Sequence, residues 1–96
     1  MSLMTITIYS NPLRVDPDPA YVSKSGGDVV QWQHAQNLHF CVDFGGPDSG
    51  PFINHHFQMG DQTGPARGNA TIGTPYKYTV TVAGGEPPLD PIIIVR

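Results

Sequence analysis

The chain has 96 residues and a formal net charge of -3, which bounds it to one domain with a modest core. Eleven glycines and ten prolines, with only 14% charged residues, describe a chain of many turns rather than long helices. The five basic residues Arg14, Lys24, Arg67, Lys77 and Arg96 are scattered, which argues against nucleic acid, because phosphates call for clustered cations.

No apolar run approaches the roughly 20 residues of a membrane span. The single cysteine, Cys41, leaves no internal disulfide. Met1-Ser2-Leu3 before Met4 reads as a short vector-derived leader, and no basic or apolar signal region opens the chain. A cytoplasmic location is expected, or a periplasmic one had a signal been trimmed in cloning.

Met4 to Tyr9 alternates apolar and polar residues and predicts the first strand. Asn11-Pro12 predicts a turn, and Leu13-Arg14-Val15 a short strand. Asp16-Pro17-Asp18-Pro19 stops strand pairing, because proline donates no N–H and restricts the residue before it. Tyr21 to Lys24 is extended, and Ser25-Gly26-Gly27-Asp28 is a tight turn. Val29 to His34 predicts a strand with Val30 and Trp32 on one face and Gln31 and Gln33 on the other.

Leu38 to Phe44 predicts the clearest core strand. Leu38, Phe40, Val42 and Phe44 share its apolar face; His39, Cys41 and Asp43 share the other. Pro51 to Met59 is a short strand or an irregular crossing segment, and Gly60 to Gly68 a long loop. Tyr76 to Val82 alternates as one half-buried strand, with Tyr76, Tyr78, Val80 and Val82 inward. After the loop Ala83 to Pro88, the β-branched run to Val95 predicts a strand covered on both faces. No segment has helical periodicity. The expected fold is all-β: a single domain over residues 1–96, built of about eight strands as a two-sheet antiparallel Greek-key sandwich.

Three stretches carry a family likeness: Gly27-Asp28-Val29-Val30-Gln31-Trp32, the strand from Leu38 to Phe44 beside a histidine, and Tyr76-Lys77-Tyr78-Thr79-Val80-Thr81 before a loop and a Val/Ile-rich last strand. Together they resemble the cupredoxins, the plastocyanin-like blue-copper sandwiches. Small bacterial members of unassigned function have a similar Asp-Pro-Asp-Pro segment, Phe-x-Val-Asp-Phe strand and Leu-Asp-Pro before the last strand. A blue-copper centre takes two imidazoles, a thiolate and a weak axial thioether. The resemblance would place the Cys near Val82, the second His between Ala83 and Pro88, and the Met near Leu89. Those positions hold no ligand, and only His39 stands where the family has its first histidine. No cofactor is therefore expected.

Other chemistry is sparse. His34, His39, Cys41, His55, His56 and Met59 are potential ligands for a rearranged copper site, with His39 and Cys41 two apart on one strand face. Adjacent His55 and His56 would point to opposite faces of a strand, and zinc-type Cys spacing is absent. The competing reading is solvent-facing imidazoles and a half-buried thiol. Cys41 as a nucleophile would need a base or cation beside it. Asp43, Asp48 and Asp61 could be acids, but in Gly/Pro-rich segments aspartates more often form turns. No hydrolase, P-loop or dinucleotide motif occurs. Phe52, Ile53, Phe57 and Met59, in the stretch from Pro47 to Met59, either close one end of the sandwich or form an exposed patch for a partner or a homodimer. The expected function is a non-enzymatic, metal-free module that binds a protein or small ligand. The alternative is a copper protein using His39, Cys41, His55 and His56.

Overall fold

The computed structural model describes residues 2–46, 49–84 and 87–96. Met1 of the leader, Pro47 at the start of the apolar stretch, Asp48 as a candidate acid, and Gly85 and Glu86 of the last loop lie outside the described residues. Among the described residues there are nine strands: β1 (Leu3–Tyr9), β2 (Arg14–Asp16), β3 (Ala20–Val22), β4 (Val29–His34), β5 (Phe40–Asp43), β6 (His56–Gln58), β7 (Pro75–Lys77), β8 (Thr79–Val82) and β9 (Ile92–Val95). No helix is long and apolar enough to cross a membrane.

The strands form three sheets, in the orders β2-β1-β4, β3-β9-β7 and β6-β5-β8. Two of these are joined. Tyr78 N–H donates to the Pro91 carbonyl, and Val80 and Leu89 exchange both of their backbone bonds. The hairpin that starts as β7 against β9 thus continues into β8. The three sheets are compatible with a β-sandwich.

The all-β expectation agrees with this architecture, and several finer expectations do not. The sheets are not purely antiparallel: β1 runs parallel to β4, and β3 parallel to β9. In each pair the intervening chain returns to the same end before pairing begins. The stretch from Tyr76 to Val82 is not one strand of one sheet. Pro75 to Lys77 pair with β9, whereas Thr79 to Val82 pair with β5, so the ladder changes partner at Tyr78. The last strand is not covered on both faces, because Ile93 and Val95 are buried but Ile92 and Ile94 only partly so. Leu38 is exposed, because the connection through the positive-φ residue Asn37 delays strand pairing until Phe40.

One core lies under these sheets. Ile6 and Ile8 of β1 and Val30 and Trp32 of β4 meet Phe40, Val42, Val80 and Ile93 in a single buried cluster. Each set comes from alternate positions of its strand, as the two-residue period requires. Trp32 is the centre. Its ring stacks on Phe57 with centroids 5.4 Å apart and meets Tyr78 edge-on at 5.4 Å. Phe44 packs on Trp32, Phe52 and Tyr78 at 6.3, 6.1 and 5.3 Å. The indole Nε1–H and the Tyr78 hydroxyl are both buried, and neither completes a hydrogen bond of good geometry. Burial pushes the Tyr78 phenol well above its ordinary range; the nearby indole N–H opposes the rise and Asp18 adds to it.

Paired substitutions separate packing from polarity here. Trp32→Ala is expected to cost about 3–5 kcal/mol in urea unfolding, the range for a buried aromatic. Tyr78→Phe keeps the ring and removes a buried hydroxyl with no partner, so it should be neutral or stabilising at pH 7. The folded chain holds the Tyr78 proton more tightly than the unfolded one does. Its contribution is therefore complete below the ordinary phenol pKa of about 10 and lost as pH rises beyond it, and Tyr78→Phe should resist alkali better than the wild type.

Candidate functional site

The outer face of sheet β6-β5-β8 carries the chemistry. Along β5, Phe40 and Val42 turn into the core, so Cys41 and Asp43 must turn outward. The registers extend this into two rows. Cys41 is flanked by Gln58 of β6 and Thr81 of β8. Asp43 is flanked by His56 and Thr79.

Each row underlies a shallow depression. The first, about 500 Å³, is bordered by His39, Cys41, Gln58, Met59 and Thr81, with Phe40, Val82 and Ala83 at its apolar side. The second, about 490 Å³, is bordered by Asp43, His56, Lys77, Thr79 and Asp90. Cys41 and Thr81 belong to both. The two are thus one open trough, with a thiol and thioether at one end and charged groups at the other.

The charged end is largely occupied by its own contacts. Asp43 Oδ1 accepts the Gly45 N–H at 2.8 Å, the turn-forming role expected of such an aspartate. Its two oxygens also lie 4.0 Å from His55 Nδ1 and 3.9 Å from His56 Nδ1. Those separations are too long for hydrogen bonds, and ion pairs this exposed are weak. The Thr79 hydroxyl donates to Asp90 Oδ1 at 3.0 Å. Asp61 does not line the trough but accepts the N–H of its neighbour Gln58 through Oδ2, again forming a turn.

The candidate histidines are therefore split. His39 borders the first depression with Met59, His55 and His56 gather around Asp43, and Cys41 borders both depressions. The rings of His55 and His56 both approach one carboxylate, contrary to the expectation of opposite faces, because β6 begins only at His56. Among the described residues, no three His, Cys, Asp or Glu side chains are grouped to hold a metal ion. His34 does not line the trough and is 4% exposed, which corrects the expectation of a solvent-facing ring.

Val82 is buried in the core and Leu89 packs against it, so hydrocarbon stands where the resemblance implies a thiolate and a thioether. These residues do not fit a blue-copper centre. The apolar stretch divides as well: Phe52 and Phe57 are buried, whereas Ile53 and Met59 are exposed. Sequence reasoning missed the partners in the trough. Alternation had put Lys77, Thr79 and Thr81 on the polar face, but only the register shows that they adjoin Cys41 and Asp43.

No protein-family model, no curated protein and no solved structure matches this chain.

Asp43 supports the loop after β5 more than it pairs with histidine. Asp43→Ala is expected to cost about 0.5–1.5 kcal/mol in chemical unfolding, one hydrogen bond's worth. Asp43→Asn keeps an acceptor for Gly45 and should cost less. Equal losses would make the carboxylate charge, and hence the histidines, the dominant partner.

Proposed function

We propose that the chain is a non-enzymatic, metal-free binding module of cupredoxin-like type, a Greek-key sandwich with the scaffold of an electron carrier and none of its centre. One observation carries this reading: the open trough across the outer face of β6-β5-β8, with an apolar, sulfur-bearing end continuous with a charged one. Such a surface suits a protein segment or small ligand that has an apolar and a polar part. Catalysis is the weaker reading, because acid–base chemistry calls for an enclosed pocket and Asp43 and Asp90 are already engaged by Gly45 and Thr79. Exposed Ile53 and Met59 are where a second copy would contact it.

A fragment library screened by amide NMR against the isotope-labelled chain tests the site. Binders should shift residues 39–43, 56–59 and 77–83 together. Binding confined to other surfaces, such as the exposed Leu3 or Ile72, would remove the trough from consideration.

A copper-binding reading has one observation in its favour: His39, Cys41 and Met59 border one depression, and thiolate, thioether and imidazole suit a soft ion. His55 and His56 would not share it. Elemental analysis of untagged protein, with a copper titration followed by absorbance, decides the matter. Stoichiometric copper lost on His39→Ala and Cys41→Ser, but kept on His56→Ala, would replace the metal-free reading.

A further inference from the structure

His34 has both ring nitrogens engaged although it is almost fully buried. Its Nδ1 accepts the backbone N–H of Gln36 at 2.9 Å. A backbone N–H can only donate, so Nδ1 must present a lone pair. The neutral ring then carries its proton on Nε2, which lies 2.9 Å from Ser10 Oγ and donates to it. The ring thus ties the end of β1 to the end of β4, beside the parallel register that pairs Ile8 with His34.

Adding a proton to Nδ1 destroys this arrangement. It would set two N–H groups against each other at hydrogen-bond distance and leave the Gln36 donor without an acceptor. A cation would also be desolvated, and no carboxylate offsets it: among the described residues, the histidines in ion-pair range of one are His55 and His56, both on Asp43. The groups bonded to the His34 ring are a hydroxyl and an amide.

We propose that His34 is a proton-operated latch on the connection from β4 to β5. With the ring neutral, Gln36 N–H is held on Nδ1, and the turn is closed by Asn37 N–H on the His34 carbonyl at 3.1 Å. With the ring protonated, the first bond is lost and the turn opens. Five residues after His34 comes His39, at the border of the trough. Acidification therefore loosens the segment that positions His39. That consequence for binding rests on the trough being the site; the latch itself does not.

A protonated Nδ1 has no lone pair to offer the Gln36 N–H, so the closed turn belongs to the neutral ring and is weakened once the ring is protonated. Imidazole nitrogen NMR of the wild-type chain, with amide-exchange protection factors, is the test. At neutral pH His34 should be the Nε2–H tautomer. As the ring protonates, the protection factor of Gln36 should fall about fivefold or more, the equivalent of one hydrogen bond, while that of Val42 in β5 holds. A Nδ1–H tautomer, or Gln36 protection unchanged once His34 is protonated, would overturn the latch. Ser10→Ala serves as the control: it spares the Nδ1 contact, so the acid response of Gln36 should persist. Should the response persist while fragment binding to the trough ignores pH, the latch stands and its link to the site falls.

Discussion

The contact of Trp32 with Phe57 and Tyr78 is the constraint on which the rest of the molecule depends. It joins β4 of one sheet to β6 and the β7–β8 stretch of the others. Three large rings brought together bury enough apolar surface to dominate a core this small. The outer face follows from the same contact. With Phe57 held under the indole, its strand neighbours His56 and Gln58 must turn to solvent. With Val80 and Val82 buried, Thr81 must do so too. The trough is the reverse side of the aromatic core, and its residues are placed by what their neighbours bury. Gly50 belongs to the same constraint, because a Cβ there would lie 2.6 Å from the Phe44 ring, and Phe44 packs on all three rings.

Most of this was legible wherever strand alternation was strong. The inward sets Ile6/Ile8, Val30/Trp32 and Phe40/Val42/Phe44 could be read from the two-residue period, and so could the outward pair Cys41/Asp43. What alternation cannot supply is the identity of the neighbouring strand. The stretch from Tyr76 to Val82 keeps its period while exchanging β9 for β5 as its ladder partner, and nothing in the period marks that change. Parallel pairing of β1 with β4 was hidden for the same reason. Leu38 failed differently. Its apolar character fits the pattern of Phe40, but the loop before β5 keeps it out of the ladder, and position overrides polarity.

The histidines show how far environment outruns residue type. In the sequence His34, His39, His55 and His56 were all potential ligands, and only the family likeness set His39 apart. In the fold they divide into three chemistries: one imidazole bonded at both nitrogens between strand ends, one beside a thiol and a thioether, and two against a carboxylate. His34 stands last in a strand whose alternating partners are Val30 and Trp32, so its inward direction was readable. Its partners were not, because Ser10 lies 24 residues away and comes alongside only through the parallel pairing of β1.

The terminal hairpin explains why any binding chemistry should be sought on the outer face of the sheet rather than at the end where blue-copper proteins hold their metal. Val82 and Leu89 are part of the hydrocarbon around the core. Their backbones are tied as well, Val82 opposite Phe40 within its own sheet and Leu89 bonded to Val80 at the joint between two sheets. A polar or metal-binding side chain at Val82 would have to be desolvated in the buried core, at a cost that hydrocarbon does not incur. That end is committed to packing, and packing of this density tolerates little change in volume or polarity. The trough has the opposite properties. Its outward residues Cys41, Gln58, Thr79 and Thr81 stand on paired strands, so their spacing is set, yet their side chains lie outside the buried core and can contact a ligand without disturbing Trp32.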